Sequence, residues 1–191
     1  MDKMLRISSV LLVLTLAVIP CIGNADVPES TGNVSDQDTI GRGLGFETPS
    51  SIVAEADGSL VVADSGLKAV VRVDPVSGNR TILSNASIGK GPGFASPYSI
   101  AAAADGSLVV VDFGKGAVVR VDQVSGDRTI LSDASIGKGP GFPSPNGIAV
   151  EANGSFVVVD YGLGAVVRVE PVSGDRKILS NARIGSGPRF I

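Results

Sequence analysis

The chain has 191 residues, a formal net charge of −3, no His, no Trp and a single Cys. Without His there is no Ser-His-Asp triad and no His-ligated zinc. One Cys gives no disulfide framework, and scattered Arg on a mildly acidic chain forms no basic patch for nucleic acid.

The first segment, "MDKMLRISSVLLVLTLAVIPCIGNA", carries Lys3 and Arg6, an apolar run over residues 10–20, then Gly23 and Ala25. That order is the one of a secretory signal peptide, with cleavage expected after Ala25. The apolar run is short for a membrane span, and Pro20 stands where a lipobox before Cys21 wants a small residue. The expectation is an exported chain, periplasmic or secreted, without cysteine and without a membrane partner once residues 1–25 are removed. Residues 26–39 read as a linker.

From there the chain repeats itself. Gly45-Phe46 returns as Gly93-Phe94 and Gly141-Phe142, a spacing of 48, and Phe190 stands where the next Phe is due. Three full repeats follow over 40–87, 88–135 and 136–183, and 184–191 read as the start of a truncated fourth. Repeats two and three agree at 34 of 48 positions without a gap, so the period is a structural unit rather than a chance similarity.

In chain order each repeat predicts four strands of about six residues. In the first, "SIVAEA" precedes the hairpin dipeptide Asp57-Gly58, with Asn153-Gly154 its counterpart in the third. "SLVVAD", "AVVRVD" and, after a Pro75/Gly78 turn, "RTILSN" complete the set. The glycine-rich "IGKGPGFASP" then leads into the second repeat. It lacks the spacing of a P-loop and opens no helix, so it reads as a connection. β-branched density and Gly or Pro at the junctions disfavour helix. The inner strands are apolar or small on both faces, which predicts sheets covered on both sides. The fold class expected is therefore all-β: three four-stranded antiparallel blades of a β-propeller, its ring incomplete or completed by oligomerisation. Propellers have four to eight blades, so three require a longer chain, a homodimer closing a six-blade ring, or an open arc. An open arc predicts exposed apolar positions at Ile52/Val53 or Ile148/Val150.

"GFPSPNGIAVEANGSFVVVDYGLGAVVRVEPVSGDRKIL", residues 141–179, resembles the NHL-type propeller repeat in its F-x-x-P-x-G-I-A-V entry, its Asn-Gly hairpin and its V-x-R-V third strand. It is also similar to blades of the senescence-marker/gluconolactonase-like superfamily. The resemblance covers residues 40–183 and implies architecture more than activity, because such propellers host hydrolases, lyases and pure binding proteins. The lyases among them use histidine, which this chain lacks.

Asp64, Asp112 and Asp160 close the second strand of each repeat and read as hydrogen-bond acceptors for their own turns. Arg72, Arg120 and Arg168 share a strand face with Asp74, Asp122 and Glu170, and read as partners of neighbouring acids. Site candidates lie where the repeats differ, at the entries around Glu47, Tyr98 and Asn146. The gluconolactonase resemblance implies a divalent cation held by Glu, Asn and Asp at the entries of separate blades. Glu47 and Asn146 stand at two of those positions, Tyr98 occupies the matching place in the second repeat, and no Asp completes the set. The first functional expectation is a non-enzymatic binding or interaction module without cofactor. The alternative is a metal-dependent sugar-lactone hydrolase using Ca²⁺ or Zn²⁺ at Glu47 and Asn146.

Overall fold

The structure, a computed structural model, describes residues 41–187. The expected signal peptide and linker, and the last part of the fourth repeat, lie outside the described residues. Twelve strands follow one another: β1 (Pro49–Ala54), β2 (Leu60–Asp64), β3 (Ala69–Val73), β4 (Arg80–Ser84), β5 (Pro97–Ala102), β6 (Leu108–Asp112), β7 (Ala117–Val121), β8 (Arg128–Ser132), β9 (Pro145–Val150), β10 (Phe156–Asp160), β11 (Ala165–Val169) and β12 (Arg176–Ser180). Each consecutive four form one antiparallel meander, β1-β2-β3-β4, β5-β6-β7-β8 and β9-β10-β11-β12, here called blades 1, 2 and 3. No described residue is helical. The first strand of each blade starts at the entry proline, earlier than the sequence pattern suggests, because Pro49, Pro97 and Pro145 pair with Asp64, Asp112 and Asp160.

The hairpin dipeptide uses both of its residues: Asp57 Oδ1 accepts from the Ser59 N–H at 2.9 Å. Gly58 is left-handed at φ 89° and its N–H returns to the Glu55 carbonyl at 3.0 Å, so a wider turn replaces a two-residue loop.

Strand alternation sorts the core into two layers. Leu108, Val110, Val119 and Val121 of blade 2 pack with Val61, Ala63, Val70 and Leu83 of blade 1. The intervening Val109, Val111 and Val118 pack with Phe156, Val158, Val167 and Val169 of blade 3. Blade 2 is thus covered on both sides, as its sequence predicts. Outside these two layers exposure is confined to single positions: Ile52 of blade 1 is 59% exposed and Val159 of blade 3 50%, whereas Val62 and Val71 beside Ile52 are 6% and 2% exposed. Val53, Ile148 and Val150 do not carry the exposure, because they point inward against the two shared layers.

A buried arginine joins each blade to the one before it. Arg128 is 4% exposed. Its guanidinium donates to Ser84 Oγ of blade 1 at 2.6 Å and to the carbonyls of Ile88, Gly89 and Pro92 at 2.7, 3.2 and 2.8 Å. Ser84 Oγ in turn donates to the Gly126 carbonyl at 2.6 Å. Arg176 and Ser132 repeat the arrangement between blades 2 and 3. The glycine-rich connection is therefore a folded cradle for the guanidinium. Gly89 must be glycine: at φ 79°, a Cβ there would lie 1.9 Å from the Gly126 carbonyl oxygen.

Gly89→Ala is expected to lower the unfolding free energy in urea by about 2 kcal/mol or more, from left-handed strain and the backbone clash together. Gly93→Ala, where an added Cβ meets nothing within 4 Å, is expected to leave it nearly unchanged.

Candidate functional site

Strand register brings the entry of each blade and the end of its second strand to one end of the sheet, so the variable positions of the three repeats share that end. The aspartates hold this end together. Asp64 is fully buried and accepts from the backbone N–H of Glu47, Thr48 and Leu67 at 2.9, 2.9 and 3.0 Å. Asp112 does the same for Ala95, Ser96 and Lys115. Each carboxylate thus ties the entry segment to its own turn, a wider role than the turn alone, and is spent on structure.

The arginine partners also resolve. Arg72 pairs with Glu55, Nε to Oε2 at 2.9 Å and Nη2 to Oε1 at 3.1 Å, and Arg168 makes the same fork with Glu151. Ala103 takes the Glu place in blade 2, so Arg120 meets only Asp105, at 3.5 Å. Asp74 and Asp122 instead cap their own turns through the N–H groups of residues two and three ahead.

Glu47 and Asn146 stand on different blades, with β5 packed between β1 and β9. The Glu47 side chain is exposed and lies over Gly66, where a Cβ would approach its Oε2 to 3.1 Å. Asn146 Oδ1 accepts from the Tyr161 N–H at 3.4 Å. Among the described residues no three His, Cys, Asp or Glu side chains gather where they could hold a metal ion.

Aromatic side chains dominate the same end. Tyr98 is 40% exposed and leans on Phe113, ring centroids 6.1 Å apart and planes at 43°. Tyr161 is 78% exposed. Phe113 is absent from the sequence candidates, although its position differs between repeats as Ser65, Phe113 and Tyr161 and carries the same signal as the entries. Beside Tyr161, on the outer face of blade 3, a hollow of about 570 Å³ is lined by Asn146, Val159, Gly162, Gly164 and Val166. It occupies the place that, between blades 2 and 3, is filled by the next blade.

These are the blades of a β-propeller. Virginiamycin B lyase from Staphylococcus aureus superposes with a TM-score of 0.54 at 21% identity, over 68% of this chain and 40% of that one. A putative gluconolactonase does so at 0.53 and 20%, over 68% and 48%. A chain of a nidogen/laminin complex does so at 0.55 and 18%, over 71% and 47%. The chain therefore spans less than half the length of these propellers, and at such identities the likeness is one of fold. The β-propeller fold that the NHL-type and gluconolactonase-like resemblance implies is present. No protein-family profile and no curated protein sequence matches the chain.

The carboxylates set the pH response. Serine hydroxyl and backbone N–H donors hold Asp57, Asp74, Asp105 and Asp122 below their ordinary value of 3.8. The hydrogen bond from Arg168 holds Glu151 below its ordinary 4.5. A depressed folded-state pKa stabilises the fold above the unfolded value, and that contribution disappears as pH falls through the folded one. With no His to titrate, the thermal midpoint is expected to be flat between about pH 6 and 8 and to fall once pH drops below about 4. A step near pH 6.5 would contradict this assignment.

Proposed function

We propose that this chain is an exported, non-enzymatic β-propeller module that works by association, with the outer face of blade 3 as its binding surface. The observation that carries the reading is that face itself. It sets Val159, half exposed, and Tyr161, 78% exposed, around a hollow of about 570 Å³ at a level where the preceding blades are dry and packed. An apolar patch rimmed by a single tyrosine hydroxyl and an Asn amide suits a protein surface better than a polar metabolite.

The chemistry around it supports the same reading. The buried acids are consumed by backbone donors, and the buried arginines by carbonyls and serines. One structure matched by the fold is a catalytically inactive histidine-to-alanine variant of virginiamycin B lyase, and this chain has no histidine to offer such a role. The N-terminal basic, apolar and small-residue segment supports export.

In a lactone hydrolysis assay with gluconolactone, the chain is expected to show no turnover with or without added Ca²⁺ or Zn²⁺, and Asn146→Ala is expected to behave as the parent. Metal-dependent turnover that disappears in Asn146→Ala would replace this reading with the lactonase one.

A further inference from the structure

Apart from the blade 3 surface, we infer a second site, at Arg120 of blade 2, that binds the carboxylate of a small zwitterion of the α-amino acid class. It lies by the Asp105-Gly106 hairpin, at the opposite end of the sheet from Tyr98. A gap in the repeat points to it. In blades 1 and 3 the third-strand arginine is forked by a glutamate, Arg72 by Glu55 and Arg168 by Glu151. Arg72 has a further acceptor across the joint, Gln123 Oε1 of blade 2 at 2.7 Å. Arg120 receives neither. Ala103 stands in the glutamate position, and Pro171 of blade 3 stands where Gln123 does, with no side-chain acceptor to offer.

Arg120 is thus a guanidinium whose donors make no hydrogen bond among the described residues. Its ionic contact is Nη1 to Asp105 Oδ2, at 3.5 Å. Nε is buried without a partner, and at that depth solvent does not supply one. The missing piece is the difference between Glu and Ala, a carboxylate on one carbon. A carboxylate that arrives from outside completes a fork the fold already builds twice. The way in is open: the Arg120 side chain is 35% exposed and lines a hollow of about 390 Å³. That volume lies within the range of small-molecule sites.

Charge selects which acid. Asp105, Asp122 and Asp127 share the wall of the hollow with Arg120. Their Oδ1 atoms accept from the N–H groups of Ser107, Ser125 and Lys90 at 3.0, 2.7 and 2.7 Å. Their Oδ2 atoms accept no hydrogen bond among the described residues. Three carboxylates beside one guanidinium repel a bare anion, and the guanidinium repels a bare cation. A molecule carrying both charges sets each against its opposite. Blade 1 shows that a carboxylate is accommodated in such company, since Glu55 sits with Asp57 and Asp74 around Arg72 in the equivalent hollow.

Three probes, glycine, acetate and methylammonium, are titrated against the full chain and followed through the Arg120 Nε–Hε resonance, which Arg120→Lys identifies by its loss. Glycine is expected to shift that resonance saturably, and acetate and methylammonium each to bind about tenfold more weakly at equal ionic strength. Ala103→Glu is expected to abolish the glycine response, because its own carboxylate closes the fork, while its urea midpoint equals or exceeds that of the parent. Should Ala103→Glu misfold, Arg120→Gln is expected to keep the parent circular dichroism and lose glycine binding by calorimetry. No shift with glycine would overturn the inference. So would a response that survives Ala103→Glu, or binding to folded Arg120→Gln. Acetate matching glycine would overturn the zwitterion by leaving Arg120 as a plain anion site, and methylammonium matching glycine would overturn the role of Arg120.

Discussion

A guanidinium removed from water between two blades is the constraint on which the rest depends. Burial pulls the Arg128 pKa below the ordinary guanidinium range, with no carboxylate among its hydrogen-bond partners. A buried cation is costly unless its donors are satisfied, and Arg128 meets that demand with carbonyls from one glycine-rich segment and a serine from the preceding blade. Phe94 lies under the guanidinium at 5.7 Å and adds a face of negative quadrupole. To feed those carbonyls inward, the segment must pass so close to the Gly126 turn that Gly89 has no room for a side chain. Charge, loop shape and blade spacing therefore belong to one requirement.

The buried aspartates solve a neighbouring problem with opposite sign. Asp112 collects three backbone N–H groups from the entry and from its own turn, and so fixes where the first strand of the blade begins. Once Asp and Arg are committed in this way, the chemistry that recurs in every repeat is unavailable for ligands. What remains for recognition is what the repeats do not share: Tyr98, Phe113 and Tyr161 at one end of the sheets, and the exposed face that blade 3 presents beside them.

Much of this is legible in the sequence, and the exceptions have physical causes. The 48-residue period, the four strands and the all-β blade architecture follow from valine-rich runs punctuated by Gly and Pro, because both signals are local. The Arg128 lock is not local: apart from the Gly126 carbonyl, its acceptors lie 36 to 44 residues back along the chain, at the end of β4 and in a segment that reads as a plain connection. Strand β1 begins at Pro49 rather than after the entry because its pairing with Asp64 is set across the hairpin. Two-sided burial holds for blade 2 and gives way at Val159, since composition specifies a face but not its occupant. Glu47 and Asn146 are visible as departures between repeats, yet the fold sets them on separate blades with β5 between them.

The claim that blades are joined by a hydroxyl–guanidinium lock is tested most directly by a double-mutant cycle of Ser84→Ala and Arg128→Met, read as unfolding free energies in urea. The account predicts a coupling of about 1 to 3 kcal/mol between the two positions, since the bond joins a charged donor to a buried acceptor. Additive effects, with a coupling near zero, would contradict it.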